Sequence, residues 1–242
     1  MDVVERQPGS RRSAKFADPS PTSSAEHEIQ RPQDLLEYER RFWGRGRLVA
    51  GVDEVGRGPL AGPVVAAAVV LPRGGCVVGA DDSKQLSHDV REDLYEAIVR
   101  TALGVGLGAA SVREIDRRNI LRATTVAMQR ALDRLVEDLR RHGPDGPDLH
   151  VVVDGLPVKY LGREHDAVVD GDALVHSIGC ASIVAKVVRD RLMRRLAARY
   201  PGYGWETNVG YGTETHRTAI DEIGLTPHHR LTFTGLQFEL EL

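Results

Sequence analysis

The sequence predicts a layered α/β domain built around a mixed sheet. From residue 47 onward, short apolar runs alternate with longer amphipathic segments, which is the pattern of strands followed by crossover helices. Two of the apolar runs, Arg47–Asp53 and Val64–Leu71, are joined only by a glycine-rich turn. Such a direct β-turn-β connection joins antiparallel strands, whereas a helical crossover joins parallel ones. Another run, His150–Asp154, follows a long helical segment and ends in a carboxylate.

The other elements follow from apolar periodicity and capping residues. Predicted helices span Asp34–Trp43, Ser87–Ala102, Ile120–Arg141, Ile178–Tyr200 and Thr213–Gly224, and further strands span Gly104–Ala110 and Ala167–Val169. Ser87 is the expected N-cap of its helix, and Gly224 is the expected C-terminal cap of the last one.

Composition predicts three parts of the chain. Residues 1–33 are rich in Ser, Pro and charge, so they bury too little apolar surface to order and are interpreted as a disordered tail. Residues 34–46 are interpreted as a short helix and linker. Residues 47–238 are interpreted as one folded domain, consistent with a chain that is 41% hydrophobic.

Bulk properties restrict the function. The formal net charge is only −3, so a nucleic-acid binder of this composition must concentrate its basic residues on one face. The two cysteines, Cys76 and Cys180, are too few for a disulfide framework and suit a reducing compartment. The longest apolar run is far shorter than the roughly 20 residues that span a membrane. We therefore expect a cytoplasmic protein, with no membrane contact and a monomer as the default state.

Carboxylates end two of the predicted strands. Asp53 and Glu54 follow one apolar run, and Asp154 ends another. Open α/β sheets place their chemistry at such strand ends, and buried ionised carboxylates require a partner or a metal. Each Asp alone is also compatible with a turn-capping role, but the three together favour a functional site. A fourth carboxylate is expected from Asp170 or Asp172, and the pattern alone leaves that choice open.

Oxygen ligands without clustered Cys or His favour Mg²⁺ or Mn²⁺ over Zn²⁺. The chain has one pair of adjacent histidines, His228 and His229, which we interpret as surface or substrate-facing residues.

A glycine-rich loop, Gly56-Arg57-Gly58, follows the first carboxylates. Glycines let backbone N–H groups approach a sugar-phosphate chain closely, although a simple tight β-β connection is the alternative. The glycine spacing does not fit a dinucleotide-binding fingerprint, and no phosphate-binding loop motif occurs, so no nucleotide cofactor is expected.

Basic and aromatic residues offer weaker signals. Tyr211 lies between two glycines and is placed to stack on a base or sugar, or simply to pack. Lys84 follows two acids and is a candidate for a cation near the acidic site. One predicted helix is strongly basic, and part of it is suited to grip a phosphate backbone, unless it is only a solvated helix face. Its basic residues are Lys186, Arg189, Arg191, Arg194, Arg195 and Arg199.

Together these motifs resemble the ribonuclease HII family. The resemblance rests on six ordered segments between Leu48 and Phe233: Asp53–Pro59, Asp82–Lys84, Val153–Gly155, Asp172, Ala181–Asp190 and Gly210–Thr213.

The resemblance implies a ribonuclease H-like fold, with a five-stranded mixed sheet flanked by helices and a C-terminal helical part. It implies endonucleolytic cleavage of the RNA strand in RNA–DNA hybrids and at single ribonucleotides in duplex DNA, leaving 5′-phosphate and 3′-hydroxyl ends. Two Mg²⁺ or Mn²⁺ ions are expected with substrate, and roles in ribonucleotide excision repair and DNA replication follow from the same resemblance.

The family motifs also assign residues. Asp53, Glu54, Asp154 and Asp172 match the four family carboxylates, which favours Asp172 over Asp170. The backbone of Gly56, Arg57 and Gly58 matches the reader of the ribose 2′-hydroxyl, and Tyr211 matches the tyrosine that packs on the sugar at the RNA–DNA junction. The remaining expected substrate-binding residues are Lys84, Ser182 and Lys186.

Departures and alternatives accompany this assignment. Asp170 and Val209 stand where many relatives carry a basic residue, which removes positive charge near the substrate path. The short tail and Arg57 argue against the sister type, ribonuclease HIII. The other hypotheses are a DNase or phosphohydrolase on a related fold, and a non-catalytic nucleic-acid binder.

Overall fold

The computed structural model describes residues 35–80, 86–142 and 147–233. Its centre is a five-stranded sheet with the strand order β3-β2-β1-β4-β5. The strands are β1 (Leu48–Val55), β2 (Val64–Val70), β3 (Gly104–Ala110), β4 (Leu149–Asp154) and β5 (His165–Val168). β1 is antiparallel to β2 and parallel to β4, so the predicted mixed sheet is confirmed.

The described helices lie mainly on the two faces of the sheet and after it in the chain. They are α1 (Glu37–Trp43), α2 (His88–Thr101), α3 (Val112–Arg118), α4 (Ile120–Leu139), α5 (Gly171–Leu174), α6 (His176–Arg199), α7 (Trp205–Asn208) and α8 (Glu214–Ile223), with a 3₁₀ turn at Arg140–His142. No described helix is both long enough and apolar enough to cross a membrane.

The two faces of the sheet carry separate cores. β2 is buried along its whole length, and its alternate residues point to opposite faces. Ala66 and Ala68 pack in the cluster that includes α4, whereas Ala67 and Val69 pack in the cluster that includes α6. This double burial explains why β1 and β2 are continuous apolar runs rather than alternating ones.

Helix α6 crosses the central strand at a glycine. A Cβ on Gly51 would lie 2.2 Å from the backbone carbon of Ser177, near the start of α6. The missing side chain therefore lets the helix backbone lie directly on β1. This close approach brings the middle of α6 under the carboxyl end of β1, where the acidic residues are.

A third core joins the C-terminal helices to the sheet domain. Trp205 is completely buried there and packs with Met193 of α6 and Ile220 of α8. This unit is the predicted C-terminal helical part, and it carries Tyr211 in the loop between α7 and α8.

Most element bounds agree with the predicted ones within two or three residues, and Ser87 caps α2 by accepting a hydrogen bond from the Val90 N–H. The short helices α3, α5 and α7 were not predicted. Residues 1–33 and Lys84 lie outside the described residues, so the expectations for them stay predictions, as do the proposed domain limits.

Candidate active site

The carboxyl ends of β1 and β4 bring two acids side by side. These parallel strands pair in a register that ends with Val52 opposite Val153. Asp53 and Asp154 are the next residue on each strand, so they are neighbours at one edge of the sheet. The local cause is the parallel β1–β4 pairing, because parallel strands end at the same edge.

Asp53 and Glu54 lie on opposite faces of the sheet, because successive strand residues alternate. Asp53 is buried on the α6 side, where the Ser182 hydroxyl donates a hydrogen bond to its carboxylate. It also accepts the Glu54 N–H at 2.7 Å. Glu54 lies on the α4 side, where Arg57 Nη1 is 3.1 Å from its Oε1.

Burial and mutual repulsion make these carboxylates hard to ionise. Burial raises the pKa of Asp53 to about 8, and the charges of Glu54 and Asp154 add to the increase. Burial also raises the pKa of Glu54, although the nearby Arg57 opposes that shift. A divalent cation at this edge would remove the repulsion and favour the ionised forms.

The donor set suits a hard cation, since it consists of carboxylate oxygens. Across the described ranges, however, no group of three or more His, Cys, Asp and Glu side chains is arranged to hold a metal ion at once. Glu54 is turned toward the Arg57 guanidinium instead. The chemistry of the residues therefore fits Mg²⁺ or Mn²⁺, while their side-chain arrangement is not that of a closed metal site.

Asp172 joins the same edge through helix α5. The N–H of Gly171, its neighbour in the chain, donates to Asp154 Oδ1 at 2.8 Å. Asp172 is buried, whereas Asp170 is exposed and takes a left-handed backbone conformation with φ 54° as it enters the helix. The placement supports Asp172 rather than Asp170 as the fourth acid.

Two buried arginines fix the glycine loop. Arg189 of α6 donates to the carbonyls of Pro63, Val209 and Ala61 at 3.0–3.2 Å. Arg230 donates to the carbonyls of Gly56, Arg57 and Gly62 at 2.5–3.0 Å. Both side chains are completely buried. They are satisfied by carbonyl oxygens, which is how a buried cation without an acidic partner is tolerated.

Arg189 is thus not a phosphate-gripping residue. The sequence pattern grouped Arg189 with basic residues that were expected either to bind a phosphate backbone or to form a solvated helix face. Its buried side chain does neither. It points into the protein, and a Cβ on Gly56 would lie 2.1 Å from its Nε. Gly56 also has φ +88°, so this position requires glycine for its backbone conformation and for the space.

Tyr211 lies beside the glycine loop and is 43% exposed. A Cβ on Gly58 would be 3.7 Å from the Tyr211 ring, so the ring and the loop border the same surface. The Tyr211 carbonyl accepts a hydrogen bond from His216 Nδ1 at 2.8 Å. The position of the tyrosine therefore depends on a histidine buried behind it.

His216 belongs to a chain of neutral histidines. His216 Nε2 accepts from Trp205 Nε1 at 3.0 Å and lies 3.1 Å from His229 Nε2. His229 Nδ1 accepts the Thr226 N–H at 2.9 Å, so the proton of neutral His229 is on Nε2, the atom that faces His216. The interpretation of His229 as a surface or substrate-facing residue is wrong, because it is buried and bonded inside the C-terminal core.

Two of the three remaining residues that were expected to bind substrate, Ser182 and Lys186, have side-chain partners nearby. Ser182 contacts Asp53, as described above. Lys186 Nζ is 2.8 Å from Asp190 Oδ1, one helical turn along α6. Lys84 lies outside the described residues. No local pattern marks Arg230 or His216, whose roles come from contacts with segments distant in the chain.

Comparison with known proteins identifies the family and agrees with the fold. The sequence matches the family model described as Ribonuclease HII over residues 50–236. It is 50% identical over 209 residues to ribonuclease HII of a Synechococcus species, covering 85% of this chain and 90% of that protein. It is 52% identical over 206 residues to ribonuclease HII of Thermosynechococcus vestitus, covering 84% and 91%.

Solved structures are similar as well. Ribonuclease HII from Archaeoglobus fulgidus, determined in a complex with PCNA, has a TM-score of 0.62 at 25% identity, covering 80% of this chain and 98% of that chain. Ribonuclease H2 from Pyrococcus horikoshii has a TM-score of 0.59 at 26% identity, covering 76% and 93%. Bst ribonuclease HIII, determined with Mn²⁺, has a TM-score of 0.62 at 20% identity, covering 91% and 73%, and this likeness concerns the fold alone.

Proposed function

We propose that this chain, which belongs to the ribonuclease HII family, cuts at single ribonucleotides embedded in duplex DNA. Membership of the family already makes it a ribonuclease H endonuclease that cleaves the RNA strand of RNA–DNA hybrids. The proposed products carry 5′-phosphate and 3′-hydroxyl ends. Its proposed setting is ribonucleotide excision repair and DNA replication, as a cytoplasmic monomer without a nucleotide cofactor.

The observation that carries this proposal is the acidic edge of the sheet. Asp154 ends β4, Asp53 is its neighbour near the end of the parallel strand β1, and Glu54 follows Asp53. The charges of Glu54 and Asp154 raise the pKa of Asp53, and the charge of Asp154 raises the pKa of Glu54. The glycine loop and Tyr211 border the same edge. Acids suited to a divalent ion thus lie beside a backbone loop suited to a sugar-phosphate strand.

The four carboxylates would hold two divalent ions, Mg²⁺ or Mn²⁺, beside the scissile phosphate. When bound, such ions activate the attacking water and stabilise the leaving 3′-oxygen. Ser182 keeps the Asp53 carboxylate in place by its hydrogen bond. The Gly171 N–H does the same for Asp154. Because these contacts hold the two carboxylates, the groups are oriented before substrate arrives.

Selectivity for RNA is proposed to come from the glycine loop. The backbone of Gly56, Arg57 and Gly58 would contact the ribose 2′-hydroxyl, which DNA lacks. Tyr211 would pack against the sugar next to it. Arg230 holds this loop by binding the carbonyl oxygens of Gly56 and Arg57, and Arg189 binds those of the segment that follows it, so the N–H groups of the loop would be presented in a fixed arrangement.

A single gel experiment tests the proposal. The protein is incubated with an all-DNA duplex, an RNA–DNA hybrid and a DNA duplex containing one ribonucleotide, in Mg²⁺ or Mn²⁺ and with an EDTA control. We expect cutting of the hybrid and of the single-ribonucleotide duplex, and none of all-DNA or in EDTA. Cleavage of all-DNA duplex would indicate a DNase instead, and binding of hybrid without cleavage a non-catalytic binder.

A further inference from the structure

A cavity of about 560 Å³ opens on the α4 side of the acidic edge. One end is formed by Glu54, Arg57 and Asp154, and the other by Arg122 and Tyr160. Its walls are the first turn of α4 and the segment that follows β4. The volume is within the roughly 300–1,000 Å³ range of ligand pockets. The cavity is therefore a direct continuation of the carboxylate site, and Tyr211 is not among its lining residues.

The far end of the cavity combines a cation with an aromatic ring. Arg122 Cζ lies 3.7 Å from the centre of the Tyr160 ring, and Lys159 Nζ lies 5.1 Å from it. Arg122 has no carboxylate partner among the ion pairs of the described residues, so its guanidinium keeps donors available for an anion. An arginine stacked on an aromatic ring is suited to a phosphate and an adjoining flat group.

The backbone of Tyr160 is held in a costly conformation. Its φ is +70°, which is rare for a bulky residue. Gln129 of α4 secures it by donating from Nε2 to the Tyr160 carbonyl at 2.8 Å. Strain that is locked in by a neighbouring element clusters at binding and catalytic sites, and here it presents the ring under Arg122.

The wall of the cavity supplies apolar surface. Leu121 and Leu156 are 63% and 75% exposed although both are large and apolar. A bare anion would not use this apolar surface, whereas a nucleotide offers a phosphate, a hydroxylated sugar and a base.

We propose that this cavity binds a nucleotide of the strand being cut, beyond the scissile phosphate on the side away from Tyr211. Arg122 contacts the phosphate of that nucleotide, and Tyr160 stacks on its sugar or base. This inference rests on the proposed function, because it assumes that the RNA strand is cut beside Glu54 and Asp154. It extends the substrate path to residues that no motif in the sequence marked.

The first test compares three variants in steady-state cleavage of an RNA–DNA hybrid. Arg122→Ala and Tyr160→Ala should each raise KM about tenfold and leave kcat within about twofold. Arg122→Ala should also reduce the slope of log(kcat/KM) against log salt by about one, the loss of one phosphate contact. Tyr160→Phe keeps the ring and should restore KM.

The matched control is Arg134→Ala. Arg134 is an exposed arginine of the same helix, about 18 Å further along its axis at 1.5 Å per residue. It should leave KM and the salt slope unchanged. Equal KM values for Arg122→Ala and Arg134→Ala, with both variants folded by thermal melting, would overturn the inference. Failure of the wild-type protein to cut any hybrid would instead refute the hybrid-cleaving activity on which both the proposed function and this inference rest.

A second test identifies the strand. Single phosphates of a hybrid are replaced one at a time by neutral methylphosphonates, in either strand. Replacement of one phosphate in the RNA strand, near the cut, should raise the KM of the wild-type protein. The same replacement should have little further effect on the KM of Arg122→Ala. If the position that couples to Arg122 lies in the DNA strand, or if no position couples to it, the assignment to the cut strand is overturned.

Discussion

Gly56 and Arg189 depend on each other for space: a Cβ on residue 56 would lie 2.1 Å from the Arg189 Nε. The same guanidinium binds two carbonyls in the segment that follows the glycine loop, at Ala61 and Pro63, and one in the C-terminal part, at Val209. The conformation of the loop is therefore set by a residue about 130 positions away. The glycines permit the conformation of the loop, and contacts with residues distant in the chain hold it there.

Gly56→Ala should reduce cleavage of an RNA–DNA hybrid by about 100-fold, since a shift of roughly 1 Å in a positioning element costs about that much. The new methyl group would displace Arg189 and the loop with it. Gly74→Ala is the control, because Gly74 also has a positive φ but has no atom within 4 Å of its Cβ position. Equal activity of the two variants would show that the close approach of Arg189 to residue 56 does not position the loop.

Arg230→Lys should impair cleavage although the charge is kept. The guanidinium binds carbonyls of Gly56, Arg57 and Gly62 together, and an ammonium group cannot match that planar fork. We expect a loss of at least about 2 kcal/mol of unfolding free energy, from carbonyls left without donors, and at least a tenfold loss of kcat/KM. Denaturant unfolding and hybrid cleavage measure the two effects. Wild-type values for both would exclude Arg230 from positioning the loop.

The contribution of His229 to stability should fall as the pH decreases from about 6.5 to about 4, opposite in sign to that of the buried carboxylates with raised pKa values. Burial lowers the pKa of His229 to about 4, and the nearby His216 adds to the decrease. In this interval the unfolded chain binds a proton that folded His229 does not, so unfolding is favoured at lower pH. Burial lowers the pKa of His216 and of His228 as well, which acts in the same direction.

His229→Gln isolates this contribution. The variant should be less stable than the wild type at pH 7, because it disturbs the hydrogen bonds to His216 and Thr226. The difference in unfolding free energy should shrink as the pH falls toward 4. A difference that is constant across this range would mean that His229 does not titrate on unfolding.

Tyr211→Ala should impair cutting at a single ribonucleotide more than cutting of a long hybrid. A lone ribonucleotide offers one RNA–DNA junction at which the ring can pack, whereas a hybrid offers many positions for productive binding. The ratio of kcat/KM on the two substrates is the measured quantity, with Tyr211→Phe as the control that keeps the ring. Equal losses on both substrates would assign Tyr211 a structural role only.

The sequence predicted the sheet well because its signals are local. The apolar runs of β1, β2 and β4 are buried on both faces, and helix α2 begins at the cap that the pattern identified, Ser87. Helix α3 was missed although it begins with a capping box between Ser111 and Glu114. Its seven residues are too few for a periodic signal to stand out.

The site was predictable only in part. Strand ends marked Asp53 and Asp154, because the end of an apolar run is visible in sequence. The opposite orientations of Asp53 and Glu54, and the Glu54–Arg57 contact, depend on the exact strand bounds. Arg230 and His229 were beyond prediction, since their partners are set by the packing of the C-terminal part on the glycine loop. A pair of adjacent histidines has the same local pattern whether it faces solvent or the core.

The most direct test of the central claim, that strand-end carboxylates carry out metal-dependent cleavage of the RNA strand, is the cleavage rate of Asp154→Asn in Mg²⁺. Asn keeps an oxygen that can accept the Gly171 N–H, so the variant should fold with a wild-type melting profile. We predict a loss of about 10³-fold or more in kcat, equivalent to roughly 4 kcal/mol of transition-state stabilisation. Near-normal cleavage by the folded variant would contradict the account.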